Sequence, residues 1–174
     1  VVLVAVSTLT TPTSAQVTLQ EWTEVFGTID DQQLGRSMLG LTPSLNLPYR
    51  AAISRGVSAI QGEGATGFYI LQDSADTEPQ LTLRGEYPLA GDLNSDGWTD
   101  IILNTWVNGF DTVVVNWGTV AGVDTSATLE ISGEEQWSDF RPHVIGDINN
   151  DGHLDLIIGA LDYAISAGKL YFHF

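Results

Sequence analysis

The 174-residue chain has no cysteine, only six lysines and arginines together, and no apolar run approaching bilayer length. Without cysteine there is no disulfide framework, no thiolate nucleophile and no sulfur-ligated zinc. The shortage of basic residues is sharpened by 22 acidic ones, which leave a formal net charge of −16. That charge argues against nucleic acid and anionic membranes as partners, and it favours cations. There is no Asn-X-Ser/Thr acceptor for an N-glycan. Helical periodicity is almost absent as well. What is present is 43% hydrophobic sequence, enough for one domain with a packed core or two small ones.

The acidic residues are not spread evenly. GDLNSDGWTD (Gly91–Asp100) runs into Ile-Ile-Leu, and GDINNDGHLD (Gly146–Asp155) runs into Leu-Ile-Ile. Counted from Asp92, oxygen-bearing side chains fall at positions 1, 3, 5 and 9: Asp92, Asn94, Asp96 and Asp100. Gly97 at position 6 permits the positive φ that folds such a loop back on itself. Trp98 at position 7 offers only its backbone carbonyl. Asp147, Asn149, Asp151, Gly152, His153 and Asp155 repeat the series. Three carboxylates in so short a loop repel one another unless a cation joins them. Five or six hard oxygen donors suit Ca²⁺ better than Mg²⁺, which demands a stricter octahedron. Zinc is disfavoured, because His153 stands where the carbonyl would ligate and its side chain points away. The bland alternative is a pair of solvated Asx-rich turns that bind nothing.

Asp92 and Asp147 are 55 residues apart (147 − 92), which points to an internal repeat. Strand patterns flank both loops: Glu86–Ala90 and Arg141–Ile145 before them, Asp100–Val107 and Asp155–Ala160 after them. Further strands follow at Asp111–Gly118 and Gly168–Phe174, with a fourth at Thr125–Ile131 in the first copy only. The same order reads upstream as Gly35–Leu41, Tyr49–Ser54, Gly67–Leu71 and Pro79–Gly85. There the connecting loop, Thr42–Pro48, carries no carboxylate, so no ion is expected in it. The fourth-strand Thr-Leu pair at 82–83 and 128–129 recurs at 18–19, with VVLVAV some distance before it. Residues 1–22 therefore read as strands completing a preceding or neighbouring blade. The alternative is a residual signal peptide ending near Thr13-Ser14-Ala15, although no initiator methionine or basic segment precedes it. Gln20–Gln33 is expected to be irregular or briefly helical.

Thirteen short strands with glycine- and asparagine-rich turns make the chain all-β. Four antiparallel strands per unit of about 50 residues is the arithmetic of a β-propeller blade. The expected units are residues 23–85, a degenerate blade; 86–135, a blade with its acidic loop; and 136–174, another such blade lacking its last strand. Roughly three blades make an incomplete ring or part of a larger propeller.

An EF-hand would need a bidentate Glu at position 12, where this chain has Leu103 and Ile158, and its flanks would be helical. Closing the loop at position 9, just before an apolar strand, instead places it in a β-hairpin connection. Here GDLNSDGWTDIIL and GDINNDGHLDLIIGA resemble the calcium loops of FG-GAP/VCBS repeats, the blades of integrin-α-type propellers. The resemblance is strong at both loops, good from Glu86 to Phe174 and weak from Gly35 to Gly85. It implies a propeller with two Ca²⁺ sites, at Asp92, Asn94, Asp96, Trp98 and Asp100 and at Asp147, Asn149, Asp151, His153 and Asp155. It also implies an ion that pins the turn, with direct contact to a ligand as the alternative.

Other features point less far. Of the five tryptophans (22, 98, 106, 117, 137), Trp106 and Trp117 fall in strands and read as filling between blades, with a sugar-stacking surface as the alternative. Trp98 is expected to be the most exposed. His143, His153 and His173 sit on different elements with no assignable serine or acid partner, so no enzyme is expected. Glu134-Glu135 and Asp30-Asp31 read as solvated pairs, and Ser7–Ser14 as a possible O-glycan acceptor. The functional expectation is an extracellular or cell-surface module for adhesion or recognition of a protein or glycan, with no nucleic acid and no membrane insertion. The alternative is a structural subunit that assembles with copies of itself into a filament or ring, because open sheet edges invite strand exchange.

Overall fold

The computed structural model describes residues 2–6, 21–25, 34–41, 51–55, 65–69 and 80–174. Its strands are β1 (Val2–Val6), β2 (Glu21–Val25), β3 (Leu34–Gly40), β4 (Ala51–Arg55), β5 (Ala65–Tyr69), β6 (Leu81–Arg84), β7 (Glu86–Gly91), β8 (Asp100–Val107), β9 (Phe110–Thr119), β10 (Gly122–Ser132), β11 (Phe140–Gly146), β12 (Asp155–Ala160) and β13 (Lys169–His173). They form four antiparallel sheets: β1-β2, β3-β4-β5-β6, β7-β8-β9-β10 and β11-β12-β13. Each strand pairs with its neighbour in sequence. This up-and-down meander is the blade-like order read from the repeat. The described residues close no ring.

Two expectations change. β2 lies inside the span expected to be irregular or helical, because Trp22, Thr23 and Val25 favour an extended chain. It pairs in register with β1, from Val2↔Val25 to Val6↔Glu21. The Val17–Gln20 segment and the Thr42–Pro48 loop lie outside the described residues. A single helical turn, α1 (Tyr163–Ser166), also occupies the connection from β12 to β13. Among the described residues no helix is long and apolar enough to cross a membrane.

The apolar runs after the acidic loops follow from sheet stacking. Successive residues of a strand face opposite sides. On β8, Ile101 and Leu103 join Leu41, Ala52 and Leu83 in a core between the second and third sheets. Ile102, between them, faces the other way into a second core with Val113, Val115, Phe140, Leu156, Ile158 and Ala160. A strand covered on both faces needs apolar residues at every position, hence Asp-Ile-Ile-Leu instead of alternation. Polar side chains tie the stack. Tyr87 N–H donates to Ser37 Oγ (2.9 Å), and Asn104 Nδ2 donates to the Phe140 carbonyl (2.6 Å).

Candidate metal loops

Both acidic loops join the first two strands of their sheets. Gly91 pairs with Asp100, and Gly146 with Asp155, so residues 92–99 and 147–154 are hairpin connections of equal length. The backbone turns through left-handed conformations at matching places. These are Ser95 (φ 59°) and Gly97 (φ 88°) in one loop, and Asn150 (φ 62°) and Gly152 (φ 91°) in the other. Gly at position 6 is therefore required by backbone strain.

The hydrogen bonds repeat almost one for one. Asp96 N–H donates to Asp92 Oδ1 (3.0 Å), and Gly97 N–H to Asp92 Oδ2 (2.8 Å). In the second loop, Asp151 N–H donates to Asp147 Oδ1 (3.0 Å), and Gly152 N–H to Asp147 Oδ2 (2.9 Å). Asn94 Nδ2 reaches Asp96 Oδ2 (2.9 Å), as Asn149 Nδ2 reaches Asp151 Oδ2 (3.0 Å). Trp98 N–H and His153 N–H donate to Oδ1 of Asp96 and Asp151 at 2.8 and 2.9 Å. The fifth-position carboxylate thus holds the seventh residue in place through its N–H.

The closing aspartates behave differently from the rest. Asp100 and Asp155 are buried, at 0% and 1% exposure, whereas Asn94, Asp96, Asp147, Asn149 and Asp151 are exposed and Asp92 is half-buried. Asp100 Oδ2 accepts Leu93 N–H (2.8 Å) and its Oδ1 accepts Gly118 N–H (2.8 Å), stapling the loop to β9. The approach is close: a Cβ on Gly118 would lie 2.4 Å from the Thr99 carbonyl oxygen. Asp155 Oδ2 likewise accepts Ile148 N–H (2.8 Å), but its Oδ1 is buried with no partner. Ile101 pairs with Asn116, and that register places Gly118 just beyond the Asp100 pairing position.

Burial pushes the Asp100 carboxyl up from its ordinary range, against the pull of the Gly118 and Leu93 N–H groups. The negative charges of Asp96 and Asp92 push the same way. Asp151, by contrast, is held below the ordinary range by the His153 N–H and Asn149. The first loop's carboxylates therefore feel one another, and a cation among them would relieve that repulsion.

The donors at positions 1, 3, 5, 7 and 9 of each loop are oxygens, of the hardness that Ca²⁺ takes, while the His153 ring is turned to Ser95. Among the described residues, however, no three Asp, Glu or His side chains are gathered as a metal-holding group. The loop's own N–H groups orient the first- and fifth-position carboxylates, and the ninth is turned into the sheet. Each accepting carboxylate oxygen keeps a second lone pair, so these bonds leave coordinating capacity. The fit to an ion lies in donor type and spacing, not in a closed cage.

The structure also joins the two loops, which spacing alone did not reveal. Ser95 Oγ lies 3.0 Å from His153 Nδ1, so the histidine bridges to the neighbouring loop. A cleft of about 480 Å³ opens beside that bridge, lined by Asn94, Asp151, His153 and His173 with Leu93, Leu129 and Phe174 among others. His153 and His173, on different elements, thus share one cleft, while His143 packs against Gly159. Glu134 and Glu135 are not merely solvated. Glu134 accepts Lys169 Nζ (2.7 Å) and Tyr163 OH (3.2 Å), and Glu135 accepts Ala164 N–H (3.1 Å). The most exposed tryptophan with a described side chain is Trp137, at 74%, and not Trp98, which is half-buried. Trp137 leans on Trp106 with ring centroids 4.5 Å apart. Trp117 packs against the core between the third and fourth sheets.

A family model described as the FG-GAP-like repeat matches residues 92–158. That segment belongs to the FG-GAP-like repeat family. The match begins at Asp92, the first position of the first loop, and ends three residues past Asp155. The FG-GAP-like segment therefore holds both loops and the strands between them. Integrin alpha-6 of Gallus gallus is 28% identical over 79 residues, covering 44% of this chain and 7% of the integrin. The chain thus spans only a small part of that curated relative's length. At family level the FG-GAP-like repeat is a propeller-type structural or binding module without enzymatic chemistry.

Proposed function

We propose that the chain is an extracellular, calcium-binding FG-GAP-type module for adhesion or ligand recognition, in which calcium is structural. One observation carries this reading: two loops of equal length hold the same oxygen donors in the same hydrogen-bond pattern, each beside a buried closing aspartate. Asp92, Asn94, Asp96, the Trp98 carbonyl and Asp100 would hold one ion. Asp147, Asn149, Asp151, the His153 carbonyl and Asp155 would hold the other. The ion would cancel repulsion among three carboxylates and fix the hairpin between the first two strands of each sheet. Extracellular modules bind Ca²⁺ weakly enough, and meet enough of it, for exposed loops of this kind to fill. Integrin alpha-6, by its name, is an integrin subunit, and the local likeness supports adhesion as the setting for this chain. The partner would be a protein or a glycan, met by loops on a rigid sheet scaffold.

The test is thermal unfolding with calcium and with chelator. At about 100-fold excess over the dissociation constant, each filled site adds about 2.7 kcal/mol, or several degrees in melting temperature. Asp96→Ala and Asp151→Ala should each remove one site's share, and the double variant should not respond. A calcium response that survives in the double variant would show that these loops are not the sites.

A further inference from the structure

The segment from Gly133 to Asp139 crosses from the third sheet to the fourth, at the end of the sheets opposite the acidic loops. It is fixed on both sides. Gly133 N–H donates to the Asp111 carbonyl (2.9 Å), and Asp139 N–H to Asp111 Oδ2 (3.1 Å). The Ser138 carbonyl accepts Asp162 N–H (3.0 Å), while Glu134 and Glu135 are engaged by Lys169 and Ala164. Within it Trp137 (φ 61°) and Asp139 (φ 53°) both take left-handed backbone, a strained conformation for a residue with a side chain. That strain holds out a tryptophan 74% exposed, backed by the half-buried Trp106. An indole held in water forfeits the burial that usually places it. Two carboxamides lie alongside. Gln136 sits against the β8–β9 turn, its Nε2 3.0 Å from where a Cβ on Gly109 would stand. Asn108 is exposed on that same turn. Among the described residues neither side-chain amide has a hydrogen-bond partner.

We infer that Trp137, with the amides of Gln136 and Asn108, is a saccharide-binding site that takes one neutral sugar ring against the indole face. A single flat aromatic face matches the C–H face of one sugar ring. Carboxamides donate and accept at once, as sugar hydroxyls do, so they pair with a hydroxyl in either sense. A proline-rich peptide would need a groove between several aromatic rings, and here one ring stands out with Trp106 behind it. The net charge of −16 disfavours sulfated or carboxylated sugars, and the carboxylates nearest in sequence are already engaged within the protein. Because the segment is pinned on both sides, little ordering is left to accompany binding. The inference rests on the recognition reading and narrows its partner to a glycan. It does not rest on calcium, since the acidic loops lie at the other end of the sheets.

The test is titration of the chain with neutral oligosaccharides of glucose, galactose, mannose and N-acetylglucosamine, following the tryptophan indole N–H resonances by NMR. At least one of these sugars should shift the Trp137 signal saturably by about 10 mM. Trp137→Ala should weaken that binding about tenfold or more with an unchanged circular dichroism spectrum, because an exposed side chain is removed. Trp137→Phe, which keeps an aromatic face, should retain most of it, and Gln136→Ala should lose a smaller share. Failure of every neutral sugar to shift Trp137 would overturn the inference. So would binding that survives in folded Trp137→Ala, or a proline-rich peptide that shifts Trp137 where the sugars do not. Calcium uptake without sugar binding would remove this inference alone, and sugar binding without calcium uptake would remove the calcium reading alone.

Discussion

Among the described residues, the third sheet has a sheet packed on each face, whereas the fourth has a sheet packed on one face. Both carry the same acidic loop, closed by a buried aspartate, yet only Asp100 has both carboxylate oxygens paired. The difference shows what the repeat supplies by itself and what it needs from neighbours. Hairpin, loop and register form in either setting. Among the described residues, burial on both faces and pairing of both carboxylate oxygens of the closing aspartate occur together in the third sheet.

Paired substitutions at equivalent positions test this contrast. Ile102→Ala removes a fully buried side chain and should cost about 3–4 kcal/mol in urea unfolding. Ile157→Ala, at the matching but only half-buried position, should cost only about 1 kcal/mol. Equal costs would mean that the fourth sheet is covered after all. Next in size is the staple. Asp100→Ala strands two backbone N–H groups, Leu93 in the loop and Gly118 on β9, and should cost about 2–3 kcal/mol. Asp155→Ala loses the bonds from Ile148 and, at a longer 3.3 Å, Asn149, both within its own loop and none from a neighbouring strand, so it should cost about 1 kcal/mol less. A larger loss at Asp155 would contradict the comparison.

The smallest effect is in pH. The Asp100 carboxyl is raised in the folded state by burial and by its neighbours' charges. Its contribution to stability is therefore complete below the ordinary carboxylate value of 3.8 and is lost as pH rises through the raised value. In chelator, unfolding followed from pH 7 down toward 4 should show this group favouring the folded state as it protonates. Asp151, which is lowered, acts oppositely, and its share is lost only at still lower pH. Asp100→Asn should flatten the rise, and a profile identical to that of the unmodified chain would remove Asp100 from the account.

Much of the fold was legible because strand chemistry is local. Asp100–Val107 and Asp155–Ala160 coincide with β8 and β12, since an acidic loop and a turn bound each apolar run. Which face of Ile101, Ile102 and Leu103 met which sheet was not legible, because periodicity cannot separate the two faces of a strand buried on both. β2 was hidden by Glu21 and Glu24, which stand three residues apart and so break the period-two alternation that marks a half-buried strand. The loop donors could be read from spacing. The depth of Asp100 could not, since its partners, Leu93 and Gly118, are set by tertiary register. Nor could the Ser95–His153 bridge, which joins residues 58 apart in sequence.

Calorimetric titration with Ca²⁺ tests the central claim most directly, because it counts sites. The account predicts two ions for the unmodified chain, one for Asp96→Ala, one for Asp151→Ala and none for the double variant. Absence of binding at millimolar Ca²⁺, or an unchanged count in the single variants, would contradict it.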